Sequence, residues 1–191
     1  PGDRLTLTLN AFIDGKSFVP TEIVSGNPWV LRNGAVVNNG DASVHPRTVL
    51  GFSEDKQKVI FLVVDGRSTL SDGATTAALG SLMKYAGAYM AINVDGGGST
   101  CLYSSALGVR NRPSDGRERA DCNGIFAVSE APDDDEVASI AYVDFSLKLP
   151  KYGMYTPKFY GYNKYGMLVN TDLKGVKLSC PEALGHIVGD T

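Results

Sequence analysis

The stretch KVIFLVVDGRSTLSDGATTAALGSLMKYAGAYMAINVDGGGST, residues 58–100, decides the reading of the fold. Residues 58–64 form an almost continuous apolar run closed by Asp65 and Gly66, the pattern of a strand buried on both faces. In the segment that follows, Ala78, Leu82, Met83 and Ala86 recur at three- and four-residue steps, with Asp72 available to cap the start and Gly87 to end it, so a helix is expected. A second apolar run, AYMAINV at residues 88–94, reads as another strand. Strand, helix and strand with short joints predict a βαβ crossover whose strands are parallel and close in one sheet. The expected class is therefore α+β or α/β, with a mixed sheet. Both strands end in an aspartate, Asp65 and Asp95, and parallel strands place their carboxyl ends at the same edge, where open α/β sheets bind ligands. An Asp-Gly pair by itself often does no more than open a turn. Two of them, flanked by Arg67 and a glycine run, point to a shared site.

Gly96, Gly97 and Gly98 follow Asp95 directly. Consecutive glycines carry a conformational-entropy cost and persist where the backbone needs positive φ or where a group approaches it closely. A tight turn between strands would satisfy that demand, and so would a polar ligand. The run lacks the Lys-Ser or Lys-Thr of a Walker loop, and TCLYSS after it reads as strand, unlike the helix of a dinucleotide fingerprint. Bare glycine amides can still form an anion nest, with Ser99 and Thr100 adding hydroxyl donors, suited to a phosphate or a sugar hydroxyl.

The 191 residues, 43% apolar and 20% charged, suffice for a packed core. A net charge of −3 argues against broad nucleic-acid binding. No apolar run reaches the roughly eighteen residues of a membrane span, and PGDRLTLTLN lacks the plan of a signal peptide, which could have been removed beforehand. Cys101, Cys122 and Cys180 show no CxxC spacing; Cys101 and Cys122 could pair if their strands are neighbours, with buried free thiols as the default. The run SEAPDDDEVAS at residues 129–139 reads as solvated linker. The expected division is 1–131, an acidic linker at 132–136, and 137–191. In the last part SIAYVDFSLKLP, KFYGYNKYG and GVKLSC have the cadence of a small β-sandwich, cut short of the about seven strands of an immunoglobulin-like domain. Tyr160, Tyr162 and Tyr165 could make a sugar platform, although alternating strand aromatics are more often core.

Three further stretches supply polar groups. HPRT brings His45 and Arg47 just before the strand VLGF; DGRSTLSDG brings Arg67 and Ser71; NRPSDGRER brings Asn111, Asp115 and Arg119. Each has an ordinary reading alone: a surface histidine, a salt-bridge partner, a hairpin loop. Together with the acids they suit a phosphate-bearing ligand, since arginine holds phosphate oxygens through paired hydrogen bonds. HPRT, VVDGR, Ser-x-Gly with a helix, NVDGGGST, N-x-P-S-D-G with a following Arg, and NGIFAV closely resemble, in this order, the phosphodiester glycosidase family typified by the lysosomal uncovering enzyme. The resemblance covers residues 26 to about 129, including GNPWVLRNG, and the tail resembles a bacterial immunoglobulin-like domain.

The resemblance implies hydrolysis of N-acetylglucosamine-1-phosphodiesters, with release of the sugar and a phosphate monoester, in a secreted, periplasmic or bacterial-surface setting. Family members carry an N-terminal half with an Asn-Gly-Gly-aromatic motif ahead of the motifs seen here. The expectation is thus a C-terminal portion of that domain, with an exposed seam that its other half or a second copy would cover. The reaction passes through an oxocarbenium-like state that carboxylates stabilise, while the phosphate leaving group needs cations and N–H donors. Asp95 is the expected principal carboxylate, with Asp65 supporting and His45 positioning or transferring a proton. Arg47, Arg67, Gly96, Gly97, Gly98, Ser99 and Thr100, with Asn111, Asp115 and Arg119, are the expected substrate and phosphate contacts. No cofactor is expected. A metal-assisted phosphodiesterase using Asp65, Asp95 and His45 is the chemical rival, and a glycan-binding module without turnover the rival of another class.

Overall fold

A computed structural model describes residues 11–13, 15–19, 22–143 and 148–189. Part of the run SIAYVDFSLKLP lies outside the described residues. The chain divides into two compact units, the first comprising residues 1–101 and 112–119 and the second residues 102–111 and 120–191.

In the first unit β1 (Ala11–Ile13) and β2 (Lys16–Phe18) form an antiparallel hairpin. Then come β3 (Trp29–Arg32), β4 (Ala35–Val36), β5 (Arg47–Phe52), β6 (Val59–Val64), α1 (Thr76–Tyr85) and β7 (Met90–Asn93). The last five strands make one sheet in the order β4-β3-β7-β5-β6, and every ladder in it is antiparallel. The expected mixed sheet is therefore corrected to one of antiparallel ladders only: β5 lies between β6 and β7 and pairs antiparallel with both. A strand antiparallel to two neighbours makes those neighbours run the same way, so the C-terminal ends of β6 and β7 reach the same end of the sheet. There β5 begins, with Arg47 opposite Val64 and Val49 opposite Asn93. This places residues 45–47, 65–67 and 93–97 at one end of the sheet.

The core is small: Val30, Leu31, Val49, Ala74, Leu79, Met83, Ala88 and Ala91, with Ile60, Leu62 and Val64 partly buried against it. β6 is not buried on both faces as its apolar run suggests. It is the sheet's edge, with Val59 exposed and the following residues half-buried, because one neighbour and one packed face cover only part of it. Apolar continuity records hydrophobicity and carries no information on how many neighbours a strand will have.

The helix has a different cap from the one expected. Thr75, not Asp72, caps it, its side chain accepting from the Ala78 N–H, and Gly87 follows the C-cap residue Ala86 with φ of +89°. Gly80 is buried mid-helix, where glycine is worth about 1 kcal/mol less than alanine. A Cβ there would run into the Val30 carbonyl oxygen and stand 2.8 Å from Val36 Cγ1, so glycine lets the helix lie directly on β3 and β4. Gly80→Ala is expected to destabilise the protein by about 1–3 kcal/mol despite the gain in helix propensity, through overpacking against rigid backbone. Chemical denaturation measures it; an unchanged or raised midpoint would refute the close-approach account.

In the second unit β8 (Tyr103–Ser104) and β9 (Gly108–Val109) form a hairpin, and β10 (Ser139–Tyr142), β11 (Phe159–Tyr162) and β12 (Leu168–Asn170) form an antiparallel three-stranded sheet. Among the described residues these strands do not amount to an immunoglobulin-like sandwich. Tyr142 packs against Tyr155 and Phe159 with ring centroids at 6.5 and 5.8 Å. Tyr160 and Tyr162 are half-buried and Tyr165 is exposed. Cys101 is half-buried and Cys122 and Cys180 are exposed, so the buried-thiol default does not hold.

Candidate active site

A polar cleft of about 410 Å³ opens at the end of the sheet where β6 and β7 finish. It is lined by Gly26 and Asn27, by His45 to Arg47 at the start of β5, by Arg67 from the loop after β6, and by Asn93 to Gly97 at and after the end of β7. The three segments are tied by backbone bonds: the Gly97 N–H donates to the Pro46 carbonyl at 2.9 Å, the Val94 N–H to Thr48 at 2.9 Å, and His45 and Ala74 exchange bonds at 3.4 and 3.0 Å.

The loop from Asp65 to Ala74 is braced from within. The Ser71 hydroxyl donates to the Asp65 carbonyl at 2.6 Å and accepts from the Gly73 N–H, while the Ser68 hydroxyl accepts from the Ser71 N–H. Gly66 and Gly73 bring it onto the His45–Pro46 backbone, where neither could carry a side chain: a Cβ on Gly66 would stand 2.8 Å from the Pro46 nitrogen, and one on Gly73 would overlap His45. Held this way, Arg67 adopts φ of +55°, a left-handed conformation that costs a non-glycine residue energy.

The arginines have different duties. Arg47 is consumed by the protein: Nε donates to the Ala74 carbonyl at 3.3 Å, and Nη2 to the Ser43 carbonyl, the Ser43 hydroxyl and Asp41 Oδ2 at 3.2, 3.3 and 3.4 Å. The Ser43 hydroxyl first, then the Ser43 N–H and Arg47, hold the Asp41 carboxyl below its ordinary value, so its stabilising contribution is full above the usual carboxylate range and is lost as pH falls through the lowered folded value. Arg67 carries its guanidinium over Gly97, with Nη2 3.2 Å from where a Cβ on that glycine would stand, and makes no side-chain hydrogen bond or ion pair among the described residues.

Each member of the triple glycine answers a separate demand. Gly96 has no room for a side chain beside the Pro46 carbonyl, 2.8 Å from a Cβ; Gly97 takes φ of +62°; and a Cβ on Gly98 would overlap the Arg119 guanidinium. The run folds into a 3₁₀ turn, Gly97–Ser99. Its amides mostly serve the turn itself: Gly96 donates to Asp95 Oδ1 at 2.8 Å, Gly97 to Pro46, Ser99 to Gly96 and Thr100 to Gly97. Those four N–H groups therefore have acceptors within the protein. Asp95 lies at the cleft, exposed, with one oxygen on its own turn.

Asp65 lies elsewhere in this arrangement. Its two carboxylate oxygens both accept from the Arg112 N–H, at 2.9 and 3.1 Å, fastening the 112–119 loop, and it is not among the cleft-lining residues. Asp115 and Arg119 pair with each other, and Arg119 Nη1 also donates to the Ser99 hydroxyl at 3.3 Å. Thr100 is buried beside Thr48, their hydroxyls 3.4 Å apart. Asn111, in the second unit, accepts from the Leu102 N–H at 2.8 Å and closes the β8–β9 hairpin. Among the described residues no three His, Cys, Asp or Glu side chains converge as a metal-ligand set.

Residues 11–128 match the sequence profile of the phosphodiester glycosidase family. The chain belongs to that family. Among solved structures it is similar to the zebrafish N-acetylglucosamine-1-phosphodiester alpha-N-acetylglucosaminidase catalytic domain auto-inhibited by its pro-peptide, with 27% identity over 48% of this chain and 34% of that one and a TM-score of 0.40. A hypothetical protein from Synechocystis matches at 22% identity over 47% of this chain and 18% of its own, with a TM-score of 0.38. The chain thus spans about a third and a fifth of those two chains. A search of the curated proteins gives no match.

Among the glycosidase motifs, sequence reasoning passed over Asn93, the residue before Val94-Asp95. It is 6% exposed, and its Nδ2 donates to the Asn27 and Val94 carbonyls at 3.0 Å each, tying two of the cleft-lining segments together. With both donors committed to carbonyls the amide has one orientation, which leaves Oδ1 buried without a partner in the described structure. The signal was present: an amide interrupting the apolar run YMAIN is costly unless its polar atoms are used.

Proposed function

We propose that the protein hydrolyses a glycosyl-1-phosphodiester, releasing the sugar and leaving a phosphate monoester. The observation that carries this reading is the presence, in the lining of one polar cleft, of exposed Asp95 together with His45 and with Arg67, whose guanidinium has no side-chain partner among the described residues. Such a reaction develops positive charge on the sugar and negative charge on the departing phosphate, and the cleft offers one group of each sign.

Asp95 faces the anomeric carbon and stabilises the oxocarbenium-like state. Arg67 holds the phosphate, and its strained backbone fixes where that charge sits. His45, whose backbone is bridged to Ala74, positions or transfers a proton. Arg47 acts through the start of β5 that it anchors, and Asp65 through the 112–119 loop, rather than by touching substrate. The membership in the phosphodiester glycosidase family supports the bond class.

Incubation of the protein with methyl N-acetylglucosamine-1-phosphate tests the reading. Release of free reducing sugar together with methyl phosphate is the expected result; saturable binding with no release would make this a glycan-binding protein instead.

A further inference from the structure

We infer that Asp115 and Arg119 form a strap that positions the glycine turn behind Asp95, rather than a pair that binds substrate; this rests on the glycosidase reading of the cleft. The loop from Arg112 to Arg119 is fastened at both ends to the site. At its start, the Arg112 N–H sits between the oxygens of Asp65 at the end of β6. At its end, Arg119 donates through Nε and Nη2 to Asp115 Oδ2 at 3.0 and 2.7 Å and through Nη1 to the Ser99 hydroxyl at 3.3 Å. Cys101 adds a long contact to Glu118 Oε1 at 3.8 Å.

The decisive feature is Gly98. It is buried, and its φ is not in the left-handed region, so backbone freedom does not explain the residue. Its surroundings do: the atoms that a Cβ would meet are the Arg119 guanidinium and Asp115 Oδ2. The glycine and the ion pair are complementary parts of one contact. That contact presses on the turn whose first amide holds Asp95 Oδ1 and whose second is bonded to Pro46. None of Asp115, Arg119 or Gly98 lines the cleft. An exposed ion pair contributes little to stability by itself, so its worth here lies in geometry.

Two predictions separate a strap from a binding pair. Arg119→Ala should lower kcat about ten-fold or more with KM nearly unchanged, since misplacing a catalytic carboxylate costs turnover rather than ground-state binding. Gly98→Ala should displace the same guanidinium and give the same loss, and the double variant should be no worse than either single one. Arg117→Ala, with the same charge change on the same loop, is the control. A readout independent of any substrate is amide hydrogen exchange at Ser99 and Thr100, expected at least about ten-fold faster in Arg119→Ala and unchanged in Arg117→Ala. A rise in KM alone with unaltered exchange, or additive losses in the double variant, would overturn the strap and return Arg119 to substrate binding. Absence of turnover in the parent protein would defeat the glycosidase reading and leave the exchange result to judge the strap. Arg119→Lys, which keeps the charge without the planar fork, should recover little, and full recovery would also refute it.

Discussion

Asp95→Asn is expected to lower kcat by about two to four orders of magnitude with little change in KM or in thermal stability. The substitution is close to isosteric, and the amide oxygen of asparagine can still accept the Gly96 N–H that Asp95 Oδ1 accepts at 2.8 Å. The turn should therefore keep its shape while the negative charge disappears, so the loss reports on chemistry. Steady-state kinetics on a glycosyl-1-phosphodiester, with a melting curve as control, measure it. Turnover within about three-fold of the parent would remove Asp95 from the stabilising role, and His45 would then be the group to test.

Arg67→Ala is expected to cost about 10²–10³ in kcat/KM, the effect typical of deleting one preorganised donor to developing negative charge. The same change at Arg47 should act chiefly on stability, since that side chain is bonded to Ser43, Asp41 and Ala74. Arg67→Gly sharpens the test, because only glycine relieves φ of +55° without a steric cost. It should be at least as stable as Arg67→Ala and no more active. A higher unfolding midpoint beside lost activity would show conformational energy held at the site for function. An Arg67→Ala variant with unaltered kcat/KM would eliminate this arginine as the phosphate-holding group.

The order of strand, helix and strand, the acids at the strand ends and the glycine turn were legible in residues 58–100, because apolar periodicity and punctuation by Asp and Gly are local properties. The position of the helix cap was less so: Asp72 and Thr75 are both competent residue types, and it is the Thr75 side chain that accepts the Ala78 N–H. Tertiary structure alone decided that β6 is an edge, that β5 lies between β6 and β7, and that Arg47 is spent on the fold while Arg67 is not. Nothing within HPRT or DGR distinguishes the two guanidinium groups, since the acceptors that occupy Arg47 come from residues 41, 43 and 74. The triple glycine shows the division most clearly. Local sequence reports that the backbone there must be unusual or closely approached. Only the packed chain assigns one glycine to the Pro46 carbonyl, one to a left-handed φ and one to the Arg119 guanidinium, because a steric demand belongs to the atoms that come near and those arrive from distant parts of the chain.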